Sequence, residues 1–173
     1  MSSLVKIDSI VHTGSGSAAS LTGIDGTYDC YEAIFYMNHV GYNNGLNIEV
    51  LKGGTVFNGN SYQRALYYSS SNSTTRFEQA GTSTRSIFLN NMQGNHPTDG
   101  ADGFVRLRLY NFAAAGYDYI TFNAIKENHE RGCKMNASGA VVVKDASASD
   151  GIQITQNGGA NHYVTHAVLY GVK

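Results

Sequence analysis

Apolar and polar residues alternate with a period of two along much of this chain. From Leu4 to Val11 the alternation sets Val5, Ile7 and Ser9 on one side and Lys6, Asp8 and Ile10 on the other. Leu46 to Leu51 repeats it, with Leu46, Ile48 and Val50 against Asn47 and Glu49. The cleanest run is Phe104 to Phe112, where Val105, Leu107 and Leu109 face one way and Arg106 and Arg108 the other. Successive side chains of a strand point to opposite faces, so each run predicts a strand with one buried face. Further strand-like runs cover 18–22, 61–69, 75–79, 85–90, 119–125, 132–135, 140–143, 152–155 and 163–172. The segment 29–40 reads two ways. Asp29 and Glu32 have the spacing of a helix capping box, but Tyr31, Ile34, Phe35, Tyr36 and Val40 are strand formers, and a strand is the reading adopted.

Glycine-rich and serine-rich stretches punctuate these runs at 12–17, 23–27, 53–54 and 69–73. The longest predicted loop is Asn91 to Gly103, which holds Pro97, the only proline. Short strands at this spacing, with no amphipathic helix among them, predict an all-β fold. The expected architecture is an antiparallel β-sandwich, jelly-roll-like, of about 8–12 strands. No linker and no repeat of constant period appears, so one domain over 1–173 is expected.

Composition narrows the function classes. Charged residues make 14% of the chain, against roughly 25% in ordinary soluble domains. Polarity comes instead from Gly, Ser, Asn and Thr, together 64 of 173 residues. The net charge of -1 gives no electrostatic footprint for nucleic acid or for anionic lipid. No run of 18 apolar residues predicts a membrane span, and no secretory leader is readable at the start. Cys30 and Cys133 belong to no CxxC. They read as small buried hydrophobes, with a disulfide between them left open.

Candidate chemistry is sparse. His162 and His166 share a strand face about 13 Å apart, too far for one zinc ion. Asn128-His129-Glu130 lacks the second histidine of a zincin helix, and Asp99 with Asp102 lacks the ligand count of a calcium loop. Gly14-Ser15-Gly16-Ser17 has no following Lys-Ser/Thr for a phosphate loop, and no nucleophile elbow occurs. No catalytic, metal or cofactor residue is therefore expected, and no enzyme activity. Tyr62, Tyr67 and Tyr68, near Asn58 and Asn60, read either as packing and interface residues or as a glycan platform. Arg106 and Arg108, on the polar side of their strand, read as solvent or interface contacts.

Several segments together resemble a family of tailed-bacteriophage virion structural proteins. Leu21-Thr22-Gly23-Ile24-Asp25-Gly26-Thr27-Tyr28, after a glycine-serine turn, is similar to the family's F-T-x-I-P-x-T-Y element. Leu109-Tyr110-Asn111-Phe112 resembles its I-x-D-Y strand end. Ala146 to Ile154 resembles an S-T-A-A-I-x-S-I segment, and the finish, Leu169-Tyr170-Gly171-Val172-Lys173, resembles the terminal F-x-L-Y-G-I-K strand. The family's tryptophans are missing, and 72–103 matches none of its elements. The resemblance implies a β-sandwich module on the phage particle, made in the host cytoplasm. Its partners would be other virion proteins, a major capsid protein or tail components, and it would form a homo-oligomer, expected as a trimer. The expected role is a capsid decoration or cement protein. The alternative is a tail appendage that binds a host receptor or glycan.

Overall fold

Strand formers and glycine turns dominate the sequence, and the chain folds as strands alone. The computed structural model describes residues 3–11, 18–39, 46–59, 62–71, 73–83, 87–89, 101–128, 133–156 and 162–173. Among these run β1 (Leu4–Val11), β2 (Ala18–Thr22), β3 (Cys30–His39), β4 (Leu46–Lys52), β5 (Thr55–Val56), β6 (Tyr62–Ser70) and β7 (Ser73–Ser83). They are followed by β8 (Ile87–Leu89), β9 (Ala101–Tyr110), β10 (Asp118–Asn128), β11 (Cys133–Val143), β12 (Gly151–Gln156) and β13 (His162–Val172).

The pairings define the topology. Antiparallel ladders join β1 to β13, β2 to β12, β3 to β9, and β4 to both β5 and β8. The first part of the chain thus runs as one long hairpin against the second. Its legs fall alternately into two sheets. One sheet has the order β1-β13-β3-β9 and continues through β10-β11-β6-β7; the other has the order β2-β12-β4-β5, with β8 also on β4. This wrapped hairpin is the jelly-roll form of the sandwich. The hairpins β10-β11 and β6-β7 widen the first sheet beyond the basic four strands. At the β4-β5 turn, Gly53 and Gly54 have φ of 59° and 73°. Two consecutive left-handed residues make the tight turn whose twist matches the flanking strands.

The core lies between the sheets. Phe35, Leu107, Ile120, Val141 and Leu169 from the large sheet meet Leu21, Ile48, Val50, Ile152 and Ile154 from the small one, all essentially without solvent exposure. Two expectations change in detail. A register shift between Lys6 and Asp8 inserts one residue into β1. Strict alternation puts Ile7 and Ile10 on opposite faces; the bulge turns both toward the core, where both pack. In addition, the runs 132–135 and 140–143 are parts of a single strand, β11, because Ala137 packs in the core between them.

Candidate functional site

The outer faces of the two sheets differ. On the small sheet the outward side chains are neutral or tied to each other: Gln153 Nε2 donates to Ser20 Oγ at 2.6 Å and Thr155 Oγ1 to Glu49 Oε2 at 3.0 Å. An antiparallel sheet with one wet face looks like this. The outer face of the large sheet does not. Exposed large hydrophobic residues among the described ones are Leu4, Val11, Tyr36, Tyr117, Tyr119 and Ile125, and all but Tyr117 lie on this face. Register places Val11, His166, Tyr36, Phe104 and Ile125 in one row across β1, β13, β3, β9 and β10. Another row holds Leu4, Val172, Cys30, Tyr110 and Tyr119.

Between these rows sits a small ionic cluster. Glu32 points outward from β3 yet is only 3% exposed, because two arginines of β9 lie over it. Arg106 Nη2 is 2.7 Å from Glu32 Oε2 and Arg108 Nε is 3.5 Å from it. Tyr110 first, then Glu32, hold the Arg108 guanidinium more firmly protonated than usual. Both arginines stay about half exposed, at 49% and 55%. They are in register with Asn123 and Thr121 on β10, and the four side chains line an open depression of about 220 Å³. Across the central strands β13, β3, β9, β10 and β11, Glu32, Arg106 and Arg108 are the charged groups among the described outward side chains. One carboxylate under two guanidinium groups leaves a net positive centre in an apolar, aromatic surround.

The candidate contacts from the sequence therefore separate. Arg106 and Arg108 belong to this face. Tyr67 shares it, in the same register row as Arg106, Asn123 and Ser138. Tyr62 does not, and its reading as a surface contact is corrected. It is fully buried, accepts the Val50 N–H at 3.1 Å and donates to the Phe57 carbonyl at 3.3 Å, and burial pushes its hydroxyl well above the usual range. Tyr62 opens β6, and inward parity there places its ring under the small sheet. The Tyr68 side chain and Asn60 lie outside the described residues, as do Asp99 and His129. Cys30 is a free thiol whose pKa burial pushes up, so Cys30 and Cys133 form no disulfide.

One end of the sandwich gathers the connections 23–29, 53–54, 111–117 and 144–150, together with residues 3 and 173. Ser3 and Lys173 exchange two backbone hydrogen bonds, each 3.0 Å. Here Lys52 Nζ lies 2.9 Å from Asp145 Oδ1 and 3.8 Å from Asp118 Oδ2, and donates to the Ser147 carbonyl. Ser149 Oγ donates to Asp118 Oδ2 at 2.7 Å. Burial pushes Asp118 up to about 6, while the Ser147 hydroxyl and Lys52 hold Asp145 down at about 2. Ser149 and Asp118 are buried without a route for substrate, at 1% and 0% exposed, so the cluster locks loops together rather than forming a nucleophile. Among the described residues, no group of three or more His, Cys, Asp or Glu could hold a metal ion.

Asp118 gives a pH test. Its folded pKa of about 6 lies above the unfolded 3.8, so the folded state keeps this proton longer. Stability falls as pH rises through that window, and the full cost of the buried charge is present above about 6. Asp118→Asn retains an oxygen for Ser149 and has no such term. Measured by urea unfolding, the variant is expected to gain on the order of 2–3 kcal/mol relative to wild type between pH 4 and pH 7. A difference that does not change with pH would remove the buried-carboxylate account.

No protein-family model matches the chain, and no curated protein matches it.

Proposed function

We propose that this chain is a structural protein of a tailed-phage virion, a decoration or cement module that docks on the assembled shell. The observation that carries the reading is the outer face of the large sheet, with its apolar rows and the Arg106–Arg108 pair at the centre. Aromatic residues and arginine are enriched, and other charges depleted, where protein surfaces are covered by partners. The segments that resemble phage virion proteins support the same reading. The face also specifies its occupant. Among the described outward side chains of the central strands its cations find no second carboxylate, since Glu32 is already covered. The complement of this face is a shell protein with an apolar surface and an acidic side chain. A module that binds only the assembled shell stabilises that state by mass action.

The test uses particles of the encoding phage assembled with wild-type chain or with Tyr119→Asp. Tyr119 is 48% exposed, so the isolated variant is expected to keep its unfolding temperature. Wild type is expected on the particles through low and high salt, because mainly apolar contacts are little screened. The variant is expected to be lost and the particles to become heat-sensitive. Absence of the wild-type chain from the particles, or retention of the variant, overturns the reading. Unchanged heat stability with lost adsorption points to the tail-appendage role instead.

A further inference from the structure

We propose that the loop end of the sandwich carries a second site, a binding pocket for a neutral saccharide between residues 26–29 and 111–114. A cavity of about 450 Å³ opens there, within the range of small-ligand pockets. Its walls include Gly26, Tyr28, Asp29, Asn111, Ala113 and Ala114.

Both walls are fixed before any ligand arrives. On one side the buried Tyr31 hydroxyl accepts the Gly26 N–H at 3.0 Å and the Tyr28 N–H at 3.4 Å, and donates to Asp25 Oδ1 at 3.3 Å. Asp25 in turn accepts the Thr27 N–H at 3.0 Å. The Tyr28 ring stands edge-on to Tyr31, with centroids 5.8 Å apart. On the other side Asn111 takes a left-handed φ of 65°, and its Nδ2 donates to the Tyr117 carbonyl at 3.0 Å. The loop is pinned again where the Ser149 N–H donates to the Phe112 carbonyl. Gly26 brings the walls together: a Cβ there would sit 3.4 Å from the Ala113 methyl. Little conformational entropy remains to be lost on binding.

The chemistry of the lining selects the ligand class. Asp29 and Asn111 are exposed lining residues, and each carries a side-chain oxygen that can accept a hydrogen bond. Such acceptors suit vicinal hydroxyls. The Ala113 and Ala114 methyls and the part of the Tyr28 ring left beside Lys173 and Gly171 offer apolar surface for the C–H groups of a pyranose. The lining residues include the Asp29 carboxylate and no cationic side chain, which disfavours an acidic ligand. A quaternary ammonium would want the Tyr28 ring, over which Lys173 Nζ already sits at 5.8 Å. A neutral polyol fits what remains. The pocket lies at the loop end and adjoins the docking face, whose Cys30 and Tyr110 follow and precede Asp29 and Asn111 in the chain.

The experiment is a ¹⁵N-amide NMR titration of the intact chain with glucose, galactose, N-acetylglucosamine, maltose and lactose, and with glucuronate and choline as charged probes. At least one neutral sugar is expected to shift the amides of Gly26, Asp29, Ala113 and Ala114 saturably. Asp29→Ala is expected to weaken it about tenfold or more, the loss of one hydrogen bond to a charged acceptor. Ala114→Phe, which fills the mouth from an exposed position, is expected to abolish it. Unchanged dispersion of the remaining amides shows that both variants are folded. Three outcomes each overturn the proposal: no saturable shift with any neutral sugar, saturation by choline or glucuronate alone, or wild-type affinity in both variants.

Discussion

Replacing Lys126 by methionine is expected to remove a rise in stability that the wild-type chain shows between about pH 7 and about pH 10. Lys126 lies on β10 with the inward parity of Ile120, Phe122 and Ala124, and is 1% exposed. Burial drops its pKa from 10.5 to about 7. Below about 7 both folded and unfolded chains carry the charge, and the folded state bears the full desolvation cost. Above 10.5 both are neutral and the cost is gone. Wild-type stability therefore gains from this group as pH rises from about 7 to about 10, at most by roughly 4–5 kcal/mol at 1.36 kcal/mol per pH unit. Methionine has a similar shape and no charge, so the variant is expected to lack this rise, and its stability relative to wild type to fall over that range. Urea unfolding at pH 7 and pH 10 reads this directly. A difference between variant and wild type that is the same at both values would show that the ammonium is well solvated where it sits.

Gly139→Ala is expected to destabilise by about 3 kcal/mol or more. Gly139 is the inward position of β11 opposite Leu66 of β6 and Phe122 of β10. A Cβ there would lie 2.3 Å from the Ala65 carbonyl oxygen, 2.9 Å from the Phe122 ring and 3.0 Å from Leu66. The nearest of these is backbone, so relief requires β11 and β6 to part. The neighbouring residue provides the control. Ala140 points outward and is exposed, and Ala140→Val is expected to change stability by less than about 0.5 kcal/mol. Thermal unfolding of both variants makes the comparison, and equal effects would put Gly139 on the wrong face.

The strand pattern was legible because alternation is local: β4 and β9 can be read from their own residues. What local alternation omits is the partner strand. The bulges in β1 and β13 break parity at Lys6/Asp8 and Val164/His166, and they are set by pairing with β13 and β3. Arg106 and Arg108 were readable as outward. Glu32, which binds them, was not, because it comes from a strand 74 residues earlier than Arg106. Tyr62 looked like its surface neighbours until the small sheet covered it. Lys126 did leave a signal. Carrying the parity of Ile120, Phe122 and Ala124 one step further puts a lysine inward, but the apolar run seemed to stop at Ile125. The loop pocket had none, since its walls come from the β2-β3 and β9-β10 connections, brought together only by the wrapped hairpin.

The split edge of the small sheet bears on how the molecule avoids uncontrolled growth. The side of β4 away from β12 is shared by β5, with two residues, and β8, with three. An extended segment from another chain that sought to add itself along this border would find no continuous row of free amide and carbonyl groups. It would meet two short fragments belonging to distant parts of the sequence. Fibre-like strand addition needs an unbroken template several residues long. Strand addition along this border is thereby discouraged, and association there is directed to side-chain surfaces, where shape and charge can discriminate among partners.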